Sequence, residues 1–285
     1  MAELLMGKAV ASAINERTAE TVRQLIEKGI APKLCIVRVG ERPDDLSYER
    51  GALKRAEAVG IEVEKRVFPE DVTEEELVDA IREINADPSI HGVLLFRPLP
   101  RHINESRVCN TLIPEKDMDG ITDLSMAGVY AGKPLGFPPC TAQAVIELID
   151  YYGIDLKGKN VTVIGRSLVI GKPVTMMLIK MNATVTVCHT RTRDVAKEAR
   201  RADVLVAAAG SAGMVTADFV HEGQTVVDVG INWSEELGKI VGDVDFDAVS
   251  PIVSALTPVP GGVGAVTTSV LMNHVAESAK RSAAE

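Results

Sequence analysis

The sequence predicts an α/β protein in two parts, an N-terminal α/β region and then a doubly wound, parallel-sheet domain. Three observations carry this. Short β-branched runs alternate with helix-period stretches along most of the chain. Glycine or proline punctuates the exchanges between them. And in Val161–Pro173 a strand run stops at Gly165, a polar turn follows at Arg166 and Ser167, and a helical pattern starts near Ile170. That order of strand, turn and helix N-terminus is how α/β proteins set backbone N–H groups and a helix dipole against a phosphate.

The elements follow in order. From Lys8 to Lys28 the positions Val10, Ile14, Val22, Leu25 and Ile26 share a helical period, and Gly29 supplies the stop. Lys33 to Val39 reads as a buried strand. After the turn Gly40–Asp44 a helix is expected from about Leu46 to Val59, closed by Gly60. Ile61 to Phe68 alternates apolar and charged residues, as an edge strand does. Thr73-Glu-Glu-Glu76 is a capping box, starting a helix whose buried stripe is Leu77, Ile81 and Ile84. His91 to Phe96 is the next strand, ended by Pro98 and Pro100. Ile113 to Pro139 is rich in Gly, Pro and Asp and is expected to be irregular, a functional loop or a domain crossing.

A helix is expected over Thr141–Tyr152, then the opening strand and turn, and a helix from Gly171 to about Met181. The series continues with strand Ala183–Cys188, helix Asp194–Arg201, strand Asp203–Ala208 and strand Gln224–Val229. This is the βαβαβ order of a nucleotide-binding domain. Lys239–Val244 reads as a small strand or hairpin arm. Thr257–Gly264 is too constrained by Pro and Gly for regular structure, and helical patterning resumes from about Val266.

Composition narrows the function. The 285 residues are 46% hydrophobic and 25% charged, enough for a large core and for two domains. A formal net charge of −9 without a Lys/Arg cluster speaks against a nucleic-acid binder. There is no apolar run of roughly eighteen residues and no signal-peptide pattern at the start, so no membrane partner is expected. Four scattered cysteines without ligand spacing fit a reduced, cytoplasmic setting, and no metal site is visible.

Gly165 and Gly171 do not satisfy G-x-G-x-x-G, so the stretch by itself reads equally well as a phosphate site or as an ordinary strand-to-helix connection. The following strand sharpens it. In NAD-binding units a carboxylate about 20 residues after the glycine turn takes the ribose hydroxyls. Here the strand ends His189-Thr-Arg-Thr192. A cationic, hydroxyl-bearing end suits a ribose phosphate, so Arg166, Thr190 and Arg191 favour NADP over the alternative, NAD, although surface arginines are often only solvated.

Gly165-Arg-Ser-x-x-x-Gly-x-Pro173, Val227-Asp-Val-Gly-Ile-Asn232, Val241-Gly-Asp-Val244 and Thr257-Pro-Val-Pro-Gly-Gly-Val-Gly264 together resemble the methylenetetrahydrofolate dehydrogenase/cyclohydrolase family. So do Tyr48, Pro98-Leu-Pro100, Pro114–Gly120 and Pro139-Cys-Thr141. The resemblance implies a folate-binding catalytic domain over residues 1–140, rejoined by a C-terminal helix at 266–285, and a Rossmann-like NAD(P) domain over 141–265, with folate in the cleft between them. It implies a homodimer as well. By resemblance Tyr48 borders the pterin, and Asp119 binds its amine and ring nitrogens; these two are the catalytic candidates. Pro98, Leu99, Pro260, Gly261 and Gly262 would complete the substrate site. Gly165, Arg166, Ser167, Gly171, Thr190, Arg191 and Ile231 would hold the cofactor.

Two departures fall on one function. The family hydrolyses the methenyl product with a Lys one turn after the tyrosine, supported by a Gln before the Pro-Leu-Pro run. In this chain those positions are Ala52 and Phe96. Lys54 points to another side of the helix, and Arg55 is roughly 10 Å along from Tyr48 and a poor base. The expectation is therefore a dehydrogenase with weak or absent cyclohydrolase activity. The alternatives are a bifunctional enzyme using an unidentified base and a non-catalytic folate- or nucleotide-binding protein.

Overall fold

Glu3–Leu4 form a two-residue strand, β1, and Gly7–Glu27 the first helix, α1. Val10, Ile14, Thr18, Val22 and Leu25 recur at its helical period and are all buried. The computed structural model describes residues 2–235 and 237–283. β2 (Lys33–Val39) is buried from Leu34 onward, which requires a neighbour on each side of the strand. α2 (Pro43–Val59) starts three residues before the expected Leu46, because Pro43 sits in the first turn, where its fixed φ and missing N–H cost nothing. Gly60, at φ 80°, ends it in the left-handed region. β3 is Glu62–Phe68. α3 (Glu74–Ala86) opens on the capping box, with the Thr73 N–H donating to Glu76 Oε2 at 2.9 Å and the Glu76 N–H to Thr73 Oγ1 at 3.3 Å. β4 (Gly92–Leu95) completes a three-stranded parallel sheet of order β3-β2-β4, with the charged β3 at the edge.

The stretch expected to be irregular is not wholly so. After α4 (Glu105–Thr111) comes a nine-residue helix, α5 (Asp123–Ala131), capped by Thr122 and ended by Gly132. It leaves Leu124 and Tyr130 exposed, so no buried stripe marks it in the sequence.

α6 (Cys140–Tyr151), β5 (Asn160–Ile164), α7 (Gly171–Lys180), β6 (Thr184–Cys188), α8 (Val195–Arg200), β7 (Val204–Ala207) and β8 (Thr225–Asp228) follow. β9 (Asn232–Ser234) and β10 (Lys239–Val241) form a small antiparallel hairpin. α9 (Phe246–Val249), β11 (Ala255–Leu256) and α10 (Thr267–Ser282) end the chain. The second sheet is six-stranded and parallel, in the order β1-β11-β8-β7-β5-β6. Counted from β5, five of its strands run 2-1-3-4-5, a doubly wound order. The chain steps outward from β5 to β6 and back to β7, so right-handed crossovers place α7 and α8 on opposite faces. The order reverses between β5 and β7, which makes their carboxyl ends the topological switch point where such sheets bind ligands.

Two compact units result: Met1–Ala11 with Thr141–Thr267, and Ser12–Cys140 with Thr268–Glu285. Each has its own core, one around Val37, Leu77, Ile81 and Val93, the other around Ile164, Leu205, Val226 and Leu256. The expected division at 1–140 and 141–265 is corrected at the N-terminus. Residues 2–11 belong with the six-stranded unit, because β1 pairs with β11 and the Gly7 N–H donates to the Gly261 carbonyl at 2.8 Å. Met1, Ala284 and Glu285 of the expected first domain, and Glu236 of the second, lie outside the described residues.

Candidate functional site

In the six-stranded unit, β5 ends at Gly165, whose φ of 125° is open only to glycine. A Cβ there would overlap the Ala208 carbonyl oxygen, and a Cβ on Gly171 would overlap that of Gly165. The turn is therefore closed backbone against backbone. Ser167 Oγ accepts the Ile170 N–H at 3.1 Å, and the Lys172 N–H donates to the Ser167 carbonyl at 3.0 Å, so the serine organises the entrance to α7. Arg166 and Ser167 are exposed there. The Gly165 N–H donates to the Cys188 carbonyl at 2.9 Å, which sets the end of β6 beside this turn. Thr190 and Arg191 are exposed on it, in a tight turn where the His189 N–H donates to Thr192 Oγ1 at 2.9 Å. The first carboxylate after β6, Asp194, accepts the Lys197 N–H at 3.0 Å as the cap of α8. Guanidinium, hydroxyl and helix N-terminus are a donor set suited to diphosphate and ribose phosphate, and the residues fit a phosphorylated dinucleotide.

Ile231, Pro260, Gly261 and Gly262 line one cavity of about 310 Å³ in the same unit, with Gly264, Ile240 and Pro258. Ile231 is two-thirds exposed and is not a core residue. Asp228 and Asp243 lie beneath this region, fully or nearly fully buried. Sequence reasoning passed over both. They stand in the quoted Val-Asp-Val-Gly and Val-Gly-Asp-Val strings, but only long-range folding shows that each is an acceptor for loop backbone. Burial pushes the Asp228 carboxyl up to about 6, against the opposing effect of N–H donation from Gly230, Val244 and Asp243.

The other unit holds Tyr48, Pro98, Leu99 and Asp119. Tyr48 is half-buried on α2, its ring edge-on to Phe96 with centroids 6.0 Å apart. Ala52, one turn further along α2, is fully buried, and Phe96 is 8% exposed. The positions where the resemblance implies Lys and Gln are thus two packed apolar sites. Pro98 is exposed, and its carbonyl accepts from Arg42 at 3.0 Å. The Leu99 side chain packs in the core with Ile103 and Val108, which leaves its backbone as the part that a substrate could meet. Asp119 is half-buried and Oδ1 accepts the Cys140 N–H at 2.8 Å at the start of α6. Burial raises its pKa, and the N–H from Cys140 acts against this. Behind Tyr48, Glu49 accepts from Arg38 Nε at 2.9 Å and Lys65 Nζ at 3.2 Å, with Arg38 and Glu49 both buried. Among the described residues no cluster of His, Cys, Asp or Glu could hold a metal ion, and no helix is long and apolar enough to cross a membrane.

A phosphate-suited switch point on a 2-1-3-4-5 sheet, beside a glycine-lined cavity, defines a nucleotide-binding α/β protein. Residues 5–119 match the catalytic domain of tetrahydrofolate dehydrogenase/cyclohydrolase, and residues 139–283 match its NAD(P)-binding domain. The chain belongs to this family. It is 50% identical over 278 residues to the bifunctional protein FolD of Clostridioides difficile, covering 98% of this chain and 96% of that one. The crystal structure of the Campylobacter jejuni bifunctional enzyme FolD, a methylenetetrahydrofolate dehydrogenase/cyclohydrolase, superposes with a TM-score of 0.95 at 40% identity, covering 99% of both chains. That of the Trypanosoma brucei N5,N10-methylenetetrahydrofolate dehydrogenase-cyclohydrolase, complexed with NADP and an inhibitor, has a TM-score of 0.92 at 35% identity, covering 100% of this chain and 99% of that one.

Proposed function

We propose that the protein is a methylenetetrahydrofolate dehydrogenase using NADP in preference to NAD. The observation that carries this is the switch-point turn, where Arg166, Ser167, Thr190 and Arg191 are exposed on two loops joined through Gly165 and Cys188. Bound there, the nicotinamide cofactor would accept a hydride from the folate methylene bridge. A bridging nitrogen lone pair drives that departure and stabilises the methenyl cation left behind, so the protein's task is positioning and exclusion of water. Asp119 presents a carboxylate to the pterin amine and ring nitrogens, a paired acceptor for paired donors. Tyr48 offers a ring already held by Phe96. Arg166 and Ser167 would hold the diphosphate, and Thr190 and Arg191 the ribose phosphate. Growth of NADPH absorbance with methylenetetrahydrofolate tests the reading; no growth with either cofactor refutes it. Arg191→Ala should raise KM for NADP about tenfold and leave that for NAD within twofold, which is about 1.4 kcal/mol of lost phosphate contact; equal effects would remove the cofactor preference.

For the second activity, hydrolysis of the methenyl product, the relatives' names favour a bifunctional enzyme over the expectation of weak or absent cyclohydrolase. The local observation on the other side is the burial of Ala52 and Phe96. Neither can take up or deliver a proton, so a bifunctional enzyme must activate water through a different group. Purified protein incubated with methenyltetrahydrofolate decides: hydrolysis well above the buffer rate establishes the bifunctional reading. A homodimer, implied by the family resemblance, is part of the proposal, and light scattering checks it.

A further inference from the structure

The segment after β7, Ala208-Ala-Gly-Ser-Ala-Gly213, has almost no side chain with which to hold itself. It is held from below. The Ala209 and Gly210 N–H groups donate to Asp243 Oδ2 at 2.6 and 2.9 Å, and the Ser211 N–H to Oδ1 at 2.9 Å. Asn232 Nδ2 donates to the same Oδ1 at 2.9 Å. Asp243 is fully buried, and a buried carboxylate is tolerable only when donors surround it in this way. Its own N–H donates to Asp228 Oδ1 at 3.0 Å, and Asp228 also takes the Gly230 and Val244 N–H groups at 2.9 and 3.0 Å.

The two acids reach both neighbours of Ile231, Gly230 through its backbone and Asn232 through its amide. They also fix the loop that starts at Ala208, whose carbonyl abuts Gly165. Glycine is required where these parts meet, since a Cβ on Gly230 would overlap Asp243, and one on Gly242 would overlap the Asp228 carboxylate. The segments at the carboxyl ends of β7 and β8 are thereby tied to a pair of buried carboxylates, and the turn after β5 packs against the first of these segments.

We propose that Asp243, supported by Asp228, is a positioning residue for the dinucleotide: it preorganises the 209–211 loop and Ile231 without touching the cofactor. This rests on the proposed function, which places the dinucleotide at this sheet edge. In Asp243→Asn an NH₂ replaces one acceptor oxygen and faces N–H donors, so the loop must loosen. Calorimetric titration of NADP and NAD without folate is the main measurement, with amide hydrogen exchange at 209–211 and steady-state kinetics beside it. Asp243→Asn should weaken cofactor binding at least about tenfold and speed exchange at 209–211, with KM for folate within twofold of wild type. Asn232→Ala, which removes one of the four donors, should weaken binding about two- to fivefold. Asp245→Asn, two residues along and a cap of α9, serves as the structural control and should leave cofactor binding unchanged.

If Asp243→Asn does not fold, Asn232→Ala decides alone. Cofactor binding within about twofold of wild type in the folded variants overturns the inference, as does equal weakening in Asp245→Asn. A wild-type protein that binds neither NADP nor NAD overturns the proposed function, and this inference with it.

Discussion

The two candidate binding regions are made of different materials. In the six-stranded unit the surface is largely backbone: Gly165, Gly171, the Ala209–Ser211 loop and Gly261–Gly262, braced from beneath by Asp228 and Asp243, with the exposed side chains of Arg166, Ser167, Thr190 and Arg191 at one end. In the three-stranded unit the surface is side chain: Tyr48 on Phe96, Asp119 at the head of α6, and α2 secured to the sheet by the Arg38–Glu49–Lys65 ion pairs. Backbone surfaces suit the diphosphate, which every dinucleotide presents alike. Side-chain surfaces can be altered one residue at a time, and Ala52 and Phe96, where the family resemblance implies Lys and Gln, lie there.

The contrast can be broken in order of expected effect. Gly165→Ala should be the most damaging change, since it forces a Cβ into a φ of 125° and against the Ala208 carbonyl. A loss of about 5 kcal/mol, at the exceptional end for a point change, is expected by urea denaturation. Retained stability and cofactor affinity would show that the turn is not backbone-limited. Glu49→Gln leaves the Arg38 guanidinium buried beside a neutral partner, which should cost roughly 3–5 kcal/mol. NADP titration of the folded fraction should be unaffected, and a lost cofactor site would mean that the two regions are not independent.

The next effect is a pH dependence. Burial lifts the Asp228 carboxyl from an ordinary 3.8 to about 6, so between these values the native state holds a proton that the unfolded state has lost. The slope of stability with pH is negative there. The contribution is complete below about pH 4, falls as pH rises, and is gone above about pH 6, a total of about 3 kcal/mol. Asp228→Asn should flatten that part of the profile in melts between pH 4 and 7, and an unchanged slope would assign it elsewhere. The smallest effect is on the aromatic pair. Tyr48→Leu keeps the apolar bulk but removes the edge-on contact with Phe96, costing about 1 kcal/mol of stability, while KM for folate rises. A variant with wild-type KM would remove Tyr48 from the substrate site.

Much of the fold was legible because its signals are local. The capping box at Thr73–Glu76 and the glycine stop at Gly60 each depend on residues a few positions apart, and the structure has them where the pattern puts them. α5 was hidden for the opposite reason: with Leu124 and Tyr130 exposed, it has no buried stripe to read. In the candidate site, Gly165, Arg166 and Ser167 were found from a contiguous strand-turn-helix pattern. Asp228 and Asp243 were missed because an acid fifteen positions from another carries no sign of a shared buried network.

The sequence by itself determined the alternation of strands and helices, the family, and the absence of Lys and Gln at positions 52 and 96, since these are matters of short periods and residue identity. Only the tertiary structure decided that residues 2–11 belong with the six-stranded unit, that Leu99 turns into the core, that Ala52 is sealed, and that two carboxylates brace the loops around Ile231. Each depends on strand pairing or burial between residues distant in the chain. Whether an N–H meets a carboxylate there is settled by packing, and no local pattern records it.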